Sequence, residues 1–90
     1  MSAQRFTKKR HVVQAMQWAG TPETATPIID WVLAEGGTAR YHPDEPERIV
    51  IDRLGGHDQA LAGDWVVQTM DSFAGIEAGI FVEFYVAVGE

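Results

Sequence analysis

The chain has no cysteine, which excludes disulfides and thiolate-held metals and suits a reducing compartment. Basic residues are scarce, seven Lys and Arg against thirteen Asp and Glu, for a formal net charge of −6. Four of the seven, Arg5, Lys8, Lys9 and Arg10, precede residue 11; beyond it Arg40, Arg48 and Arg53 stand against all thirteen acids, a formal −10. Such a body repels phosphate backbones, so nucleic acid is not the expected partner and a basic protein surface is the easier one. No apolar run approaches the length of a membrane span, and the N-terminus lacks the apolar segment of a secretory signal, so no membrane role is expected. The only serines, Ser2 and Ser72, stand in no nucleophile elbow. The Gly-Gly pairs at 36 and 55 lack the lysine and spacing of a phosphate loop.

What is present is 90 residues, 46% hydrophobic, enough for one small domain over 1–90 with residues 1–10 as a basic lead-in. A core this modest puts a homodimer within reach. His11 to Trp18 reads as a strand with Val12, Met16 and Trp18 on one side and Val13, Ala15 and Gln17 on the other. Apolar groups on both sides imply a strand covered on both faces. Thr21-Pro22 and Thr26-Pro27 are both helix-start signals; because Pro27 interrupts a helix begun at Pro22, a turn is expected at 22–25 and a helix from Pro27 to about Glu35. Ile28, Val32 and Leu33, flanked by Ile29 and Trp31, form its apolar stripe, and Gly36-Gly37 its stop. TARYHP and RIVIDRL read as strands around an acidic turn, GGHD as a tight turn before a short strand QAL, WVVQTM as a strand, and DSFAG as a turn. At the end, Ile80, Val82, Phe84, Val86 and Val88 alternate perfectly, which by itself says one long strand.

Three motifs stand in order: Val12, Val13, Ala15, Gln17, Trp18 and Gly20; then Gly63, Asp64, Trp65, Val66 and Val67; then Ile80, Phe81 and Tyr85. Together they resemble a family of small tailed-phage and prophage proteins of unknown function, over most of the chain from about Arg5 to Val88. The family's proline before Gly-Asp is Ala62 here, and SFAGIEA replaces its Pro-Cys stretch. The resemblance implies residence in an infected host's cytoplasm and a non-structural accessory role, without a known activity. It also implies a helical turn near Ile80 and Phe81, followed by a strand from about Phe84 to Val88.

Each residue that tempts a chemical reading has a structural one beside it. Gly63 suits a positive φ and Asp64 can cap its own turn, which explains the motif without catalysis. His57-Asp58 is one pair where zinc needs three or four ligands, and His11, His42 and His57 match no ligand spacing; His42 and His57 read as exposed turn residues. Asp44, Glu45 and Glu47 lack the oxygen pattern of a calcium loop. Trp18 and Trp65 read as core, Trp31 equally as core or contact surface.

The expected fold is therefore α+β: one short helix on a twisted, mostly antiparallel sheet of about five strands, curling toward a barrel. No catalytic residue, cofactor or metal is assigned. The expected function is non-enzymatic binding of a host protein, for host takeover or counter-defence, with Trp31, Tyr41, Asp44, Glu45, Glu47, His57 and Asp58 as the interaction surface. The alternative is a small-molecule binder, such as a sponge for a nucleotide signal, with Arg40, Arg48 or Arg53 on phosphate; a small enzyme ranks behind both.

Overall fold

The computed structural model describes residues 3–8, 11–53, 55–69 and 72–87. Lys9 and Arg10 of the basic lead-in, Leu54, the Met70-Asp71 step and Val88 lie outside them. In chain order the elements are β1 (Gln4–Lys8), β2 (His11–Gln17), α1 (Pro22–Ala34), β3 (Thr38–His42), β4 (Arg48–Arg53), β5 (Gly56–Ala60), β6 (Trp65–Gln68), β7 (Phe73–Ile76), α2 (Ala78–Phe84) and β8 (Val86–Ala87). The class is α+β. The finer expectation is corrected: among the described residues there are two helices, and the strands form two antiparallel sheets that do not close into a barrel. One has the order β7-β6-β2-β1-β8, the other β3-β4-β5.

β2 is the central strand of the larger sheet, which is why it is apolar on both sides. Pairings of Met16 with Val66 and of Val66 with Gly75 define one face; those of Ala15 with Val67 and of Val67 with Ala74 define the other. The first face, with Met16, Trp18, Val66 and Phe73, joins Ala39, Ile49, Ile51 and Ala60 of the smaller sheet and Ala25, Ile28 and Val32 of α1 in the main core. The second face, with Ala15, Trp65 and Val67, is covered by Phe81 of α2. Trp18 and Trp65 are both buried.

Within the expected lead-in, Gln4–Lys8 is a strand of the sheet. β1 pairs with β2 from Gln4 opposite Ala15 to Lys8 opposite His11, and with β8 on its other edge. Its alternation is diluted by charge, so composition alone pointed to a solvated arm.

α1 begins five residues before the expected start. Thr21 caps it: its hydroxyl accepts from the Thr24 N–H at 3.2 Å, and the Thr24 hydroxyl returns a contact to the Thr21 N–H at 3.3 Å. The Trp18 indole N–H donates to the Thr21 carbonyl at 2.9 Å, tying the helix start to β2. Pro27 therefore lies within the second turn, where it costs one bond to the Glu23 carbonyl without ending the helix. Starting at Pro22 brings Ala25 into line with Ile28 and Val32 as the buried stripe. Leu33, one residue and about 100° past Val32, is turned away from that stripe and is 51% exposed, against its expected place in it. The stop is as expected: Gly36 has φ +91°, and the Gly37 N–H donates to the Val32 carbonyl at 2.9 Å.

Two expected turns are strands. His57 and Asp58 lie in β5, because Arg53 pairs with Gly56 across a tight connection with Gly55 at φ +86°. Phe73 to Ile76 form β7, paired with β6. At the C-terminus the helical segment implied by the resemblance is present and longer, and Phe84 ends it rather than opening the strand.

Candidate functional site

The Gly63-Asp64 motif is built as a turn. Gly63 has φ +87°, the Asp64 N–H donates to the Leu61 carbonyl, and the Asp64 Oδ2 accepts from the Leu61 N–H, both at 2.9 Å. The Trp18 N–H donates to the Asp64 carbonyl at 2.9 Å and the Gly63 N–H to the Trp18 carbonyl at 2.8 Å. The motif thus extends the β2–β6 ladder and sets Trp65 in register, with its carboxylate already engaged.

The seven expected surface residues fall in three places. Tyr41, Asp44, Glu45 and Glu47 gather at the β3–β4 end of the smaller sheet, with the three acids exposed. Tyr41 is half-buried and meets the Trp18 ring edge-on at 6.2 Å. Desolvation, then the nearby Glu47 and Glu23 carboxylates, raise its phenol above the ordinary value of 10.0. Trp31, on α1, is partly buried and packs edge-on against Phe73 at 5.1 Å. His57 and Asp58 sit at the opposite end of the sheet from the acidic tip and point to opposite faces. His57 is exposed beside Asp52, whereas Asp58 lies on the face of Ile51.

Asp58 is a joint between the sheets. Its Oδ2 accepts from the Gly75 N–H of β7 at 3.0 Å, and its Oδ1 from the Gln59 N–H at 2.8 Å; Arg53 Nη1 approaches Oδ2 at 3.4 Å. The two strands are so close there that a Cβ on Gly75 would overlap the Gln59 carbonyl oxygen. His42, expected in an exposed turn, is instead on β3 and half-buried. Its Nδ1 is enclosed and makes no hydrogen bond; Asp44 Oδ2 is 3.8 Å away.

Among the described residues, two of the concavities that open to solvent bear on a site. A polar cleft of about 500 Å3 lies below the C-terminus of α1, between Glu35, Asp52, Arg53, Gln68, Thr69 and Ser72. Its charged groups already have partners: Gln68 Nε2 donates to Glu35 Oε1 at 3.1 Å, Arg40 Nη1 to both Asp52 oxygens at 3.0 and 3.1 Å, and Arg53 reaches Asp58. These pairs are exposed enough for each to add about 0–1 kcal/mol. Among the described residues, no three of His, Asp and Glu come together as a metal site.

The second is an apolar groove of about 370 Å3 between α2 and β7, lined by Gly75, Ile76, Glu77, Ile80, Phe84 and Tyr85. Tyr85 of this lining ends a series of stacked rings, Trp65 to Phe81 at 4.3 Å and Phe81 to Tyr85 at 4.6 Å, with interplanar angles of 8° and 12°. Phe81 anchors α2, while Ile80, Val82 and Phe84 are 49%, 70% and 55% exposed.

No family profile, curated protein or solved structure matches the chain. No helix among the described residues is long and apolar enough to cross a membrane. What remains to read is the chemistry of the surface, and there the α2 groove is new. Sequence reasoning missed it because strict alternation places Ile80, Val82 and Phe84 on one buried face of a strand. At about 100° per residue in a helix, Ile80 and Phe84 instead share the side that borders the groove and Val82 lies on the other. A signal was available: Glu77 to Phe84 has only two polar side chains, Glu77 and Glu83, too few to clothe a surface helix.

Proposed function

We propose that the chain is a non-enzymatic accessory protein of the tailed-phage kind, which works in the host cytoplasm by binding a host protein. The observation that carries this reading is the exposure of Ile80, Val82 and Phe84 on a helix held to the sheet by Phe81. A helix apolar on nearly every side is normally enclosed, and an exposed apolar surface beside charged residues is the common mark of a contact site. The acidic balance favours a basic partner surface, which would also be drawn in faster at low salt. The engaged carboxylates of Asp58 and Asp64 add support, since neither is held ready as an acid or base.

Affinity capture from host lysate tests the reading. The wild-type chain is expected to retain a discrete host protein, and Phe84→Ala to retain less of it. Recovery of no host protein across salt and pH conditions sinks it. The polar cleft supports a second reading, a small-molecule binder with Arg53 toward an anionic group. A thermal-shift screen with cyclic nucleotides separates the two. A ligand at a hundred times its Kd would add about 2.7 kcal/mol of apparent stability, and no shift with any nucleotide removes this alternative.

A further inference from the structure

We propose that the groove between α2 and β7 receives a basic segment of the partner protein, anchored by one large apolar side chain. This rests on the protein-binding reading and names its site and the chemistry of its partner. The anchor seats among Ile76, Ile80, Phe84 and Tyr85, and Tyr85 is held in place by its stack on Phe81, which in turn stacks on Trp65. Lysine or arginine next to the anchor meets Glu77, which lines the groove, and Glu83, which stands beside Ile80 on the solvent side of α2. Both glutamates are exposed, and α2 carries no basic residue.

A second copy of the chain fits the groove poorly. An isologous pairing through α2 would set the Glu77 and Glu83 of one copy near those of the other. The arginines with described side chains lie elsewhere and are engaged: Arg40 with Asp52, Arg48 with the Pro46 carbonyl, Arg53 with Asp58. Ile80 and Phe84 share one side of α2 while Val82 faces away from them, so the contiguous apolar surface exposed at the groove is under about 300 Å2. A stable interface needs about 800 Å2 from each partner, so a symmetric pair built on α2 alone falls well short. A short segment with one buried anchor and flanking cations needs far less.

The full-length chain is titrated into three labelled synthetic peptides and binding is read by fluorescence anisotropy. One carries a single phenylalanine among lysines and serines, the second has serine in place of that phenylalanine, and the third has glutamates in place of the lysines. The first is expected to bind at least about tenfold more tightly than either other and to weaken as salt rises from about 50 to about 300 mM. Ile80→Ser should remove that preference, and Glu77→Lys/Glu83→Lys should transfer it to the glutamate peptide. All three positions are exposed, so the variants should fold, which circular dichroism checks.

Equal binding of the first two peptides would leave only non-specific attraction and overturn the proposal. So would a charge reversal that changes nothing, or a self-association in sedimentation equilibrium that Ile80→Ser abolishes. A host protein captured equally by wild type and Ile80→Ser would leave the binding reading standing and refute the groove. Peptide selectivity with no host protein captured would do the reverse.

Discussion

Substituting Gly75 by alanine tests the joint between the two sheets. A Cβ there would overlap the Gln59 carbonyl oxygen and come within 2.8 Å of its carbon and 3.3 Å of the Ala60 nitrogen. All three are backbone atoms of β5 or its end, so no side-chain rotation relieves the contact. Either β5 and β7 separate or the strands buckle. Overpacking of this kind costs about 1–3 kcal/mol. Separation also stretches the 3.0 Å bond from the Gly75 N–H to the Asp58 carboxylate, and a bond to a charged group is worth about 1.5–3 kcal/mol. Together the two come to about 2.5–6 kcal/mol. A chain of this length has roughly 4–13 kcal/mol in all, so Gly75→Ala should lower Tm by at least roughly 10 °C and, at the upper end of the loss, unfold the chain.

Gly56→Ala is the internal control. It lies in the neighbouring strand β5, has no atom within 4 Å of a built Cβ and needs no positive φ. It should change stability by less than about 0.5 kcal/mol. Urea unfolding of both variants, with Asp58→Ala and the Gly75→Ala/Asp58→Ala double variant, completes a cycle. The two losses should be less than additive, since separated strands have no bond left to lose. A Gly75→Ala chain as stable as Gly56→Ala would refute the close approach of β5 and β7, and with it the assignment of Asp58 as a joint.

Three further outcomes are expected. Asp64→Ala should lose about 1–3 kcal/mol in urea unfolding by orphaning the Leu61 N–H, whereas Asp64→Asn, which keeps an acceptor, should lose less; a silent Asp64→Ala would show that the turn needs no carboxylate. Pro27→Ala should return an N–H to the second turn of α1 and raise stability by about 1–2 kcal/mol, less than the full proline penalty because the unfolded chain also gains freedom; a lower Tm would contradict the assigned strain. The raised Tyr41 pKa favours the neutral phenol in the folded state, so the unfolded chain ionises first, at about 10. That contribution is full below pH 10 and is lost as pH rises through the folded value, so Tyr41→Phe should flatten the alkaline fall in Tm; an unchanged slope would assign that fall to other groups.

The parts of the fold legible in the sequence are those where one local rule acts without competition. β2 carries apolar groups on both sides, and two covered faces are the only arrangement that hides them. Gly36 and Gly63 adopt the positive φ that no neighbouring side chain tolerates as well. Where two rules competed, the decision lay in tertiary contacts. Two Thr-Pro pairs offered two helix starts, and the Trp18 indole together with the Thr21–Thr24 box selects the earlier one despite Pro27. Asp58 reads as an exposed turn acid, yet its role depends on a glycine seventeen residues away whose lack of a side chain looks like turn chemistry until β7 is in place. The surface residues chosen for charge and aromaticity are real surface in part, but they are dispersed among three regions because β5 runs from the end opposite the acidic tip.

The C-terminal segment carries this conflict to its consequence for function. Its alternation would suit a strand, and a strand would place Ile80, Val82 and Phe84 on one side for burial. α2 instead uses one residue of the segment, Phe81, to fill the space over Ala15, Trp65 and Val67, and leaves the other large apolar groups largely outside. The Glu77 N-cap makes no side-chain bond, Gly79 lies inside the helix, and seven residues are too few for a helix stable by itself. Local propensity therefore does not hold α2; the stack of Phe81 on Trp65 and Tyr85 does. An element with weak local support and a surplus of exposed apolar surface conflicts with the isolated fold, and that conflict is relieved when a partner covers the surplus. The same reasoning explains why Asp64 and Asp58, the more conspicuous residues in the sequence, carry no such surplus: their bonds are complete within the chain.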